Sequence, residues 1–134
     1  MIASPFSRRS FSALILALAA AVAFAQDKPA GSDYQPEVGQ SGKDVVWVPT
    51  PQALVNKMLD LAKVTSADFV IDLGSGDGRT VITAAKRGAR ALGIEYNPDM
   101  VALAQRNAAK EAVSEKATFA KADLFESDFS KATV

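Results

Sequence analysis

The chain has 134 residues, 49% of them hydrophobic, with 15 Lys and Arg against 15 Asp and Glu, and these proportions favour one small globular domain over a disordered or fibrous chain. It contains no cysteine and no histidine, which excludes disulfides and removes the commonest general base and the commonest transition-metal ligand, so no metal site is expected. The net charge beyond residue 25 is −2, and this balance argues against nucleic acid as a partner, because a nucleic-acid-binding surface needs a strong basic excess.

The first 25 residues are predicted to be an export signal. Arg8 and Arg9 precede an apolar run, and Ala23-Phe24-Ala25 places small residues just before Gln26, as in cleavable secretory signals. The run is shorter than the roughly 20 residues of a membrane span, so no span is expected after cleavage. Ser7-Arg8-Arg9-Ser10-Phe11 also matches the twin-arginine pattern. We therefore expect a periplasmic or secreted protein; the general and twin-arginine routes both remain open, as does an uncleaved anchor.

Residues 26–47 are polar, contain proline and glycine and show no sustained periodicity, which predicts a linker or extended arm. Regular structure is predicted from residue 48, with Thr50 as the N-cap of a first helix and Pro51 at its first position. The apolar residues that follow recur at helical spacing and predict a face turned to the core: Leu54, Val55, Met58, Leu59 and Ala62.

Three strand–helix units follow this helix. The predicted strands are residues 69–73, 91–94 and 117–120, with a fourth beginning at 132–134, and the predicted helices are residues 80–87 and 98–113. The first strand is a continuous apolar run, typical of a strand buried on both faces of a parallel sheet. Asn97 and Pro98 supply the cap and the first-turn proline of the last helix. Its predicted core positions are Met100, Val101, Leu103, Ala104 and Ala108.

Alternating strands and helices predict a Rossmann-like, doubly wound parallel α/β sheet with right-handed crossovers. Three strands and the beginning of a fourth are few for such a sheet. We therefore predict that residues 48–134 are the cofactor-binding part of a fold truncated after the start of its fourth strand.

The loop after the first strand, residues 72–79, reads Asp-Leu-Gly-Ser-Gly-Asp-Gly-Arg. Glycines allow positive φ and let a ligand approach the backbone. A dinucleotide loop, G-x-G-x-x-G/A, would place glycine or alanine where Arg79 stands, and the phosphate loop G-x-x-x-x-G-K-[ST] is absent. The loop therefore does not require a pyrophosphate, although it is also compatible with a purely structural role in tight strand-to-helix packing.

Acidic residues follow the next two predicted strands, and ligands of open α/β sheets lie across the carboxyl ends of the strands. Glu95 is placed to accept hydrogen bonds from both hydroxyls of a ribose, and Asp123 from an exocyclic adenine amine, with the backbone of Leu124 at a ring nitrogen. The alternatives are a solvated charge at Glu95 and a loop aspartate that caps its own backbone at Asp123. Together the three strand ends predict a pocket for an adenosine without phosphate that carries an amino-acid tail, which describes S-adenosylmethionine.

At these residues the chain resembles the class I S-adenosylmethionine-dependent methyltransferases. VIDLGSGDGR (70–79), GIEYNP (93–98) and KADLF (121–125) resemble the first three motifs of that family. The run from residue 48 to 134 is similar to a narrower group, which contains small bacterial methyltransferases and the mitochondrial lysine methyltransferases acting on ATP synthase c-subunits. This resemblance covers about two-thirds of the chain, and it is strong for the cofactor and weak for the substrate.

The resemblance implies S-adenosyl-L-methionine as the cofactor and assigns residues to its parts. It places Asp72 at the amino group, Glu95 at the ribose and Asp123 with Leu124 at the adenine. The residues it assigns to the methionine moiety are Gly74, Ser75, Gly76 and Gly78. The two further positions assigned to the cofactor are Tyr96, after the second strand, and Thr50, which approaches from above in the VPTP segment.

The resemblance further implies an enzyme that transfers the sulfonium methyl by in-line displacement, a reaction that needs mainly alignment and exclusion of water. The expected acceptor is a protein lysine or a small molecule. No catalytic residue is assigned, and neither Asp77 nor Tyr96 is assigned as a base. Two alternatives remain: an exported, truncated methyltransferase-like binding module without activity, and a nucleotide-dependent dehydrogenase, which Arg79 argues against.

Overall fold

The computed structural model describes residues 34–134, so the predicted export signal lies outside the described residues. The elements of the described part are, in chain order, α1 (Gln52–Leu61), β1 (Phe69–Leu73), α2 (Arg79–Lys86), β2 (Arg90–Glu95), α3 (Pro98–Lys110), β3 (Ala117–Lys121) and a short 3-10 helix (Leu124–Glu126). No helix between residues 34 and 134 has the length and apolarity that a membrane crossing requires.

The three strands form a parallel sheet in the order β1-β2-β3, as the alternating pattern predicts. The backbone of residues 133–134 lies along the free edge of β1: the Val134 N–H donates to the Phe69 carbonyl at 3.4 Å, and the Ile71 N–H donates to the Val134 carbonyl at 3.0 Å. This alternation is the hydrogen-bond pattern of a parallel pair. The backbone at the predicted start of the fourth strand therefore pairs with β1, although no strand forms there within the described residues, and the carboxyl ends of β1, β2 and β3 meet at one rim of the sheet.

The helix α3 begins as predicted, because the Asn97 side chain accepts hydrogen bonds from the Asp99 and Met100 N–H groups and Pro98 occupies the first turn. All five of its predicted core positions are buried. The prediction that it extends to residue 113 is wrong, since the helix ends at Lys110. Ala112 adopts a φ of 55°, a left-handed conformation that stops helical hydrogen bonding.

The start of α1 differs from the prediction. The helix begins at Gln52, its N-cap is Pro51, and no side-chain hydrogen bond caps it, so the assignment of Thr50 as N-cap is wrong. The carbonyl oxygen of Thr50 accepts a hydrogen bond from Arg79 Nη1 at 2.8 Å, and this contact with the start of α2 sets the conformation of the turn. Of the five positions predicted to face the core, only Val55 and Leu59 are buried.

The helices α2 and α3 pack against one face of the sheet, where Val70, Ala91 and Ala117 align across the three strands and join the core. The opposite face is only partly covered. Phe69 and Ile71 of β1 are half-buried, and Leu73 is 41% exposed. The prediction that β1 is buried on both faces is therefore wrong for this part of the chain, because no helix among residues 34–134 covers the second face.

Candidate functional site

A cavity of about 340 Å³ lies at the carboxyl rim of the sheet, within the size range of small-molecule sites. One wall consists of the strand ends, with Gly74, residues 94–97 and residues 122–125. The other wall is a hairpin of residues 39–47, hereafter the arm hairpin. Its backbone pairs internally: the Gly39 N–H donates to the Trp47 carbonyl at 2.8 Å, and the Trp47 N–H donates to the Gln40 carbonyl at 2.9 Å.

Glu95 lies at the turn formed by the glycine loop, as the prediction of a shared pocket requires. Its Oε2 accepts the Gly76 N–H at 2.9 Å, and its Oε1 accepts the Asn97 N–H at 2.9 Å. The carboxylate is therefore held by two backbone donors and is not the freely solvated charge of the alternative interpretation. Each oxygen keeps a second lone pair, so the group can still accept hydrogen bonds from a diol.

The three glycines of the loop all have positive φ but face different surroundings. A Cβ built on Gly74 would meet no protein atom within 4 Å, so this glycine presents bare backbone to the cavity. At Gly76 a Cβ would lie 2.6 Å from Nε1 of Trp47, because the indole covers the loop. At Gly78 a Cβ would lie 2.7 Å from the Phe119 ring, so this glycine permits close packing of α2 against the sheet and faces the core.

Asp72 and Ser75 lie next to the cavity without lining it. Burial raises the pKa of the Asp72 carboxyl above its usual 3.8, and the nearby charges of Glu95 and Asp77 act in the same direction, whereas a hydrogen bond from Thr80 opposes them. The hydroxyl of Ser75 is buried and has no hydrogen-bond partner among residues 34–134. The loop thus contains two polar groups, the part-buried Asp72 and the buried Ser75, that are incompletely compensated by the protein.

The replacement Asp72→Asn is expected to stabilise the protein at neutral pH. A raised pKa means that the folded state binds this proton more tightly than the unfolded state, so the free energy of unfolding falls as pH rises from about 3.8 through the folded pKa. Asparagine removes this penalty. Urea unfolding of wild type and variant at pH 4 and pH 7 measures the effect, and a variant that is less stable than wild type at pH 7 contradicts it.

The replacement Asp68→Asn is expected to change the free energy of unfolding in the opposite direction. Hydrogen bonds from Thr65 and Thr133 lower the pKa of Asp68, so its contribution to stability is present above pH 3.8 and is lost as pH falls through the folded pKa. This variant is expected to lose stability at neutral pH and little in acid.

Asp123 marks the other end of the cavity. Its Oδ1 accepts the Phe125 N–H at 3.0 Å, which is the backbone-capping alternative, and its Oδ2 pairs with Lys43 Nζ at 2.8 Å. The hydrogen bond with Lys43 is the largest cause that lowers the pKa of Asp123 and raises that of Lys43. Leu124 and Tyr96, also predicted for the site, line the same cavity.

The structure therefore brings five of the predicted residues together around one cavity: Gly74, Glu95, Tyr96, Asp123 and Leu124. Thr50 does not line it, and its carbonyl accepts a hydrogen bond from Arg79. Ser75, Gly76 and Gly78 belong to the loop but not to the cavity surface. Asp77 accepts hydrogen bonds from the Arg79 guanidinium through both carboxylate oxygens, at 3.0 and 2.6 Å. This carboxylate therefore stabilises the loop itself.

The sequence reasoning missed the arm hairpin, which it treated as part of a linker. Lys43 and Trp47 both reach the predicted site, at Asp123 and Gly76 respectively. The available signal was the apolar cluster of Val45, Val46, Trp47 and Val48 in an otherwise polar segment, which is unusual for a solvated linker.

The chemistry of the cavity suits a polar ligand without a phosphate. Its lining, as far as residues 34–134 are concerned, includes a single cation, Lys43, and that cation is paired with Asp123. Three carboxylates, those of Asp44, Glu95 and Asp123, supply acceptors for hydroxyl and amine donors, and Gly74 offers an uncovered backbone surface. A nucleoside with an amino-acid tail fits this set of groups, whereas a phosphate would find acidic side chains and no free cation.

Comparison with known proteins identifies the relatives of the chain. The family model of the ANTKMT methyltransferase domain matches residues 72–134. The chain is similar to the protein-lysine N-methyltransferase of Saccharolobus islandicus (strain REY15A), with 46% identity over 92 residues that cover 67% of this chain and 57% of that protein. It is also similar to the human (Homo sapiens) lysine N-methyltransferase of the ATP synthase c-subunit, with 45% identity over 85 residues that cover 63% of this chain and 36% of that protein.

Solved structures show the same relationship. The RNA methyltransferase of Salinibacter ruber in complex with S-adenosyl-L-homocysteine is 50% identical, with a TM-score of 0.63 over 64% of this chain and 57% of that chain. An S-adenosylmethionine-dependent methyltransferase of Geobacter sulfurreducens, also in complex with S-adenosyl-L-homocysteine, is 27% identical with a TM-score of 0.51, over 55% of this chain and 30% of that chain. The matched part of this chain covers 57% of the Saccharolobus protein and 57% of the Salinibacter structure, so the chain spans little more than half the length of these relatives.

Proposed function

The chain belongs to the class I S-adenosylmethionine-dependent methyltransferases, and from that premise we propose that it binds S-adenosylmethionine in the cavity at the sheet rim and transfers the methyl group to a lysine of a protein. The observation that carries the proposal is the hydrogen bond between the Glu95 carboxylate and the Gly76 N–H at 2.9 Å. It joins the glycine loop to the end of the next strand, so that both belong to one ligand site.

Different residues of the chain are proposed to bind different parts of this cofactor. Glu95, oriented by two backbone N–H groups, accepts from the ribose hydroxyls, and Asp123 accepts from the adenine amine. Gly74 presents its backbone to the methionine part, and the carboxylate of the part-buried Asp72, two residues earlier, receives the cationic amino group. A cation placed there relieves the desolvation and repulsion that raise the pKa of Asp72.

Bound S-adenosylmethionine supplies an electrophilic methyl group on a positively charged sulfur. What remains for the protein is positioning of the acceptor and exclusion of water, which lower a barrier without a dedicated catalytic side chain. A chain without histidine or cysteine is compatible with such a reaction. The lysine acceptor would lose its proton to bulk solvent before it enters the cavity, and as its nitrogen forms the new bond to the methyl group the sulfur would leave as the neutral thioether of S-adenosylhomocysteine.

A lysine acceptor is supported by two relatives whose names specify lysine methylation. The similarity to an RNA methyltransferase makes RNA the competing acceptor. The net charge of −2 beyond residue 25 favours the protein acceptor, because RNA binding relies on a basic surface.

The proposal is tested with the purified chain and S-adenosylmethionine that carries a radioactive methyl group. Two acceptors are offered in parallel: a lysine-rich protein extract freed of nucleic acid, and total RNA freed of protein. We expect label in the protein fraction that is recovered as methyllysine after acid hydrolysis. Label confined to RNA would replace the lysine acceptor by a nucleic acid.

Equilibrium binding separates the remaining alternatives. S-adenosylhomocysteine is expected to bind saturably, whereas NAD is expected not to bind. Saturable binding without label in any acceptor would favour the non-catalytic binding module, and binding of NAD alone would favour the dehydrogenase.

We further propose that the protein is exported and that the signal is removed between Ala25 and Gln26. The support is the pattern of basic, apolar and small residues in the first 25 positions. The expected result is a mature protein beginning at Gln26 when the full chain is expressed in a bacterial host and its periplasmic fraction is analysed by intact mass. Full-length protein retained in the membrane fraction would instead indicate an anchor.

A further inference from the structure

We propose that the ion pair between Lys43 and Asp123 is a latch that holds the arm hairpin closed over the cavity, and that the ligand's exocyclic amine must displace Lys43 in order to bind. The displacement step rests on the proposed function, because it assumes that Asp123 receives an adenine amine. The latch itself rests only on the contacts of the arm hairpin.

The contacts at the tip of the arm hairpin support the latch. Lys43 Nζ lies 2.8 Å from Asp123 Oδ2, with side-chain exposures of 34% and 18% for the two residues. The same ammonium lies 5.5 Å from the centre of the Tyr96 ring and 5.7 Å from that of the Phe125 ring. Lys43 thus crosses the cavity mouth and is held by one carboxylate and two aromatic rings on the far side.

The tip has few other ties to the rest of the molecule. Apart from the contact of Lys43 with Asp123, the hydrogen bonds that residues 39–46 form in the described part of the chain remain within residues 34–47. The neighbouring Val45 and Val46 are 78% and 56% exposed, so they add little packing. Loss of the single ion pair therefore releases the tip while the internal pairing of the hairpin persists.

The base of the arm hairpin is attached differently. Trp47 covers Gly76 of the glycine loop, and the carbonyl of Thr50 is bonded to Arg79. These contacts anchor one end of the hairpin, whereas Lys43 anchors the other across the cavity. Because Trp47 is hydrogen-bonded to residues 39 and 40 of the same hairpin, opening of the tip is expected to loosen the packing of the indole on the glycine loop.

The two oxygens of Asp123 explain why the ligand and the latch compete. Oδ1 accepts the Phe125 N–H at 3.0 Å, and Oδ2 is paired with Lys43. Each Asp123 oxygen keeps a second lone pair, but Lys43 lines the cavity and its Nζ lies 2.8 Å from Oδ2, so Lys43 occupies the space from which an amine in the cavity would reach that oxygen. Binding therefore exchanges a charged donor from the protein for a neutral donor from the ligand.

The latch is tested first without ligand. Trp47 is the single tryptophan of the chain, so quenching of its fluorescence by acrylamide reports directly on the arm hairpin. We expect Lys43→Met to raise the quenching constant about two- to fivefold, the range that corresponds to loss of a surface ion pair. In wild type, salt at about 1 M, where the Debye length is about 3 Å, should produce part of the same increase.

Two variants control this measurement. Lys57→Met removes an equal charge from the exposed surface of α1 and should leave quenching unchanged, and Lys43→Arg retains the positive charge and should remain close to wild type. Quenching of Lys43→Met that equals wild type overturns the latch, whether or not any ligand binds.

The competition is then measured as the rate at which S-adenosylhomocysteine associates, followed by the Trp47 signal after rapid mixing. Lys43→Met is expected to associate about two- to fivefold faster than wild type and to show a weaker dependence on salt. Equal rates in the two proteins, despite a loosened hairpin, overturn the displacement step. Absence of binding to wild type and variant alike overturns the proposed function, and the quenching result still decides the latch.

Discussion

Replacement of Glu95 by alanine is expected to weaken binding of S-adenosylhomocysteine by about 1.5–3 kcal/mol, the contribution of hydrogen bonds to a charged group. The loss has two sources. The ribose hydroxyls lose their acceptor, and the N–H groups of Gly76 and Asn97, which Glu95 accepts at 2.9 Å each, lose the partner that orients the loop. Isothermal titration of wild type and variant measures the dissociation constants.

Two further variants identify the source of the effect. Glu95→Gln retains one carbonyl acceptor and is expected to bind with an intermediate affinity, because an amide cannot accept from both backbone donors and a diol at once. Glu115→Ala removes an exposed glutamate beyond α3 and should bind as wild type does. An unchanged dissociation constant for Glu95→Ala, in a variant whose circular dichroism matches wild type, would remove Glu95 from the ligand site.

Gly76→Val is expected to reduce cofactor affinity by at least about 100-fold, because a β-branched residue is severely strained in the left-handed region. Gly76 has a φ of +53°, and a Cβ there would lie 2.6 Å from Trp47 Nε1. The variant must therefore displace the indole or change the loop, and either change alters the surface that faces the ligand. Titration with S-adenosylhomocysteine and thermal unfolding are measured on the same preparation.

Gly88→Val is the matched control for backbone strain. Gly88 has a φ of +94° and would bring a Cβ to 3.0 Å from the Ser66 Cβ, but it lies after α2, at the opposite end of the helix from the glycine loop. We expect both variants to lose stability and only the Gly76 variant to lose affinity. Equal affinities of Gly76→Val and wild type would give the loop a purely structural role.

The succession of strands along the chain and the positions of their ends follow from local features of the sequence. The apolar run of β1, the Asn97 cap of α3 and the glycines after β1 each act within a few residues, so their consequences do not depend on distant parts of the chain. Parallel pairing then brings the carboxyl ends together by connectivity alone. For this reason Glu95 could be placed at the glycine loop from the sequence.

The face that each residue presents was harder to predict. Gly78 was assigned to the cofactor, yet it packs against Phe119, which lies 41 positions further along the chain. Leu54 and Met58 have the same helical periodicity as Val55 and Leu59 but remain 50% and 46% exposed. Periodicity reports which residues share a helix face, whereas burial depends on which elements arrive to cover that face.

The sequence by itself determined the strand–loop–helix pattern, the capped start of α3 and the set of strand-end residues from which the site is built, because these depend on backbone preferences over short spans. Only the tertiary structure decided that the arm hairpin lines the cavity and that Trp47 covers Gly76. It also decided that Lys43 pairs with Asp123, 80 positions further along the chain. Contacts between segments so distant depend on how the packed elements orient them, and no local propensity encodes that orientation.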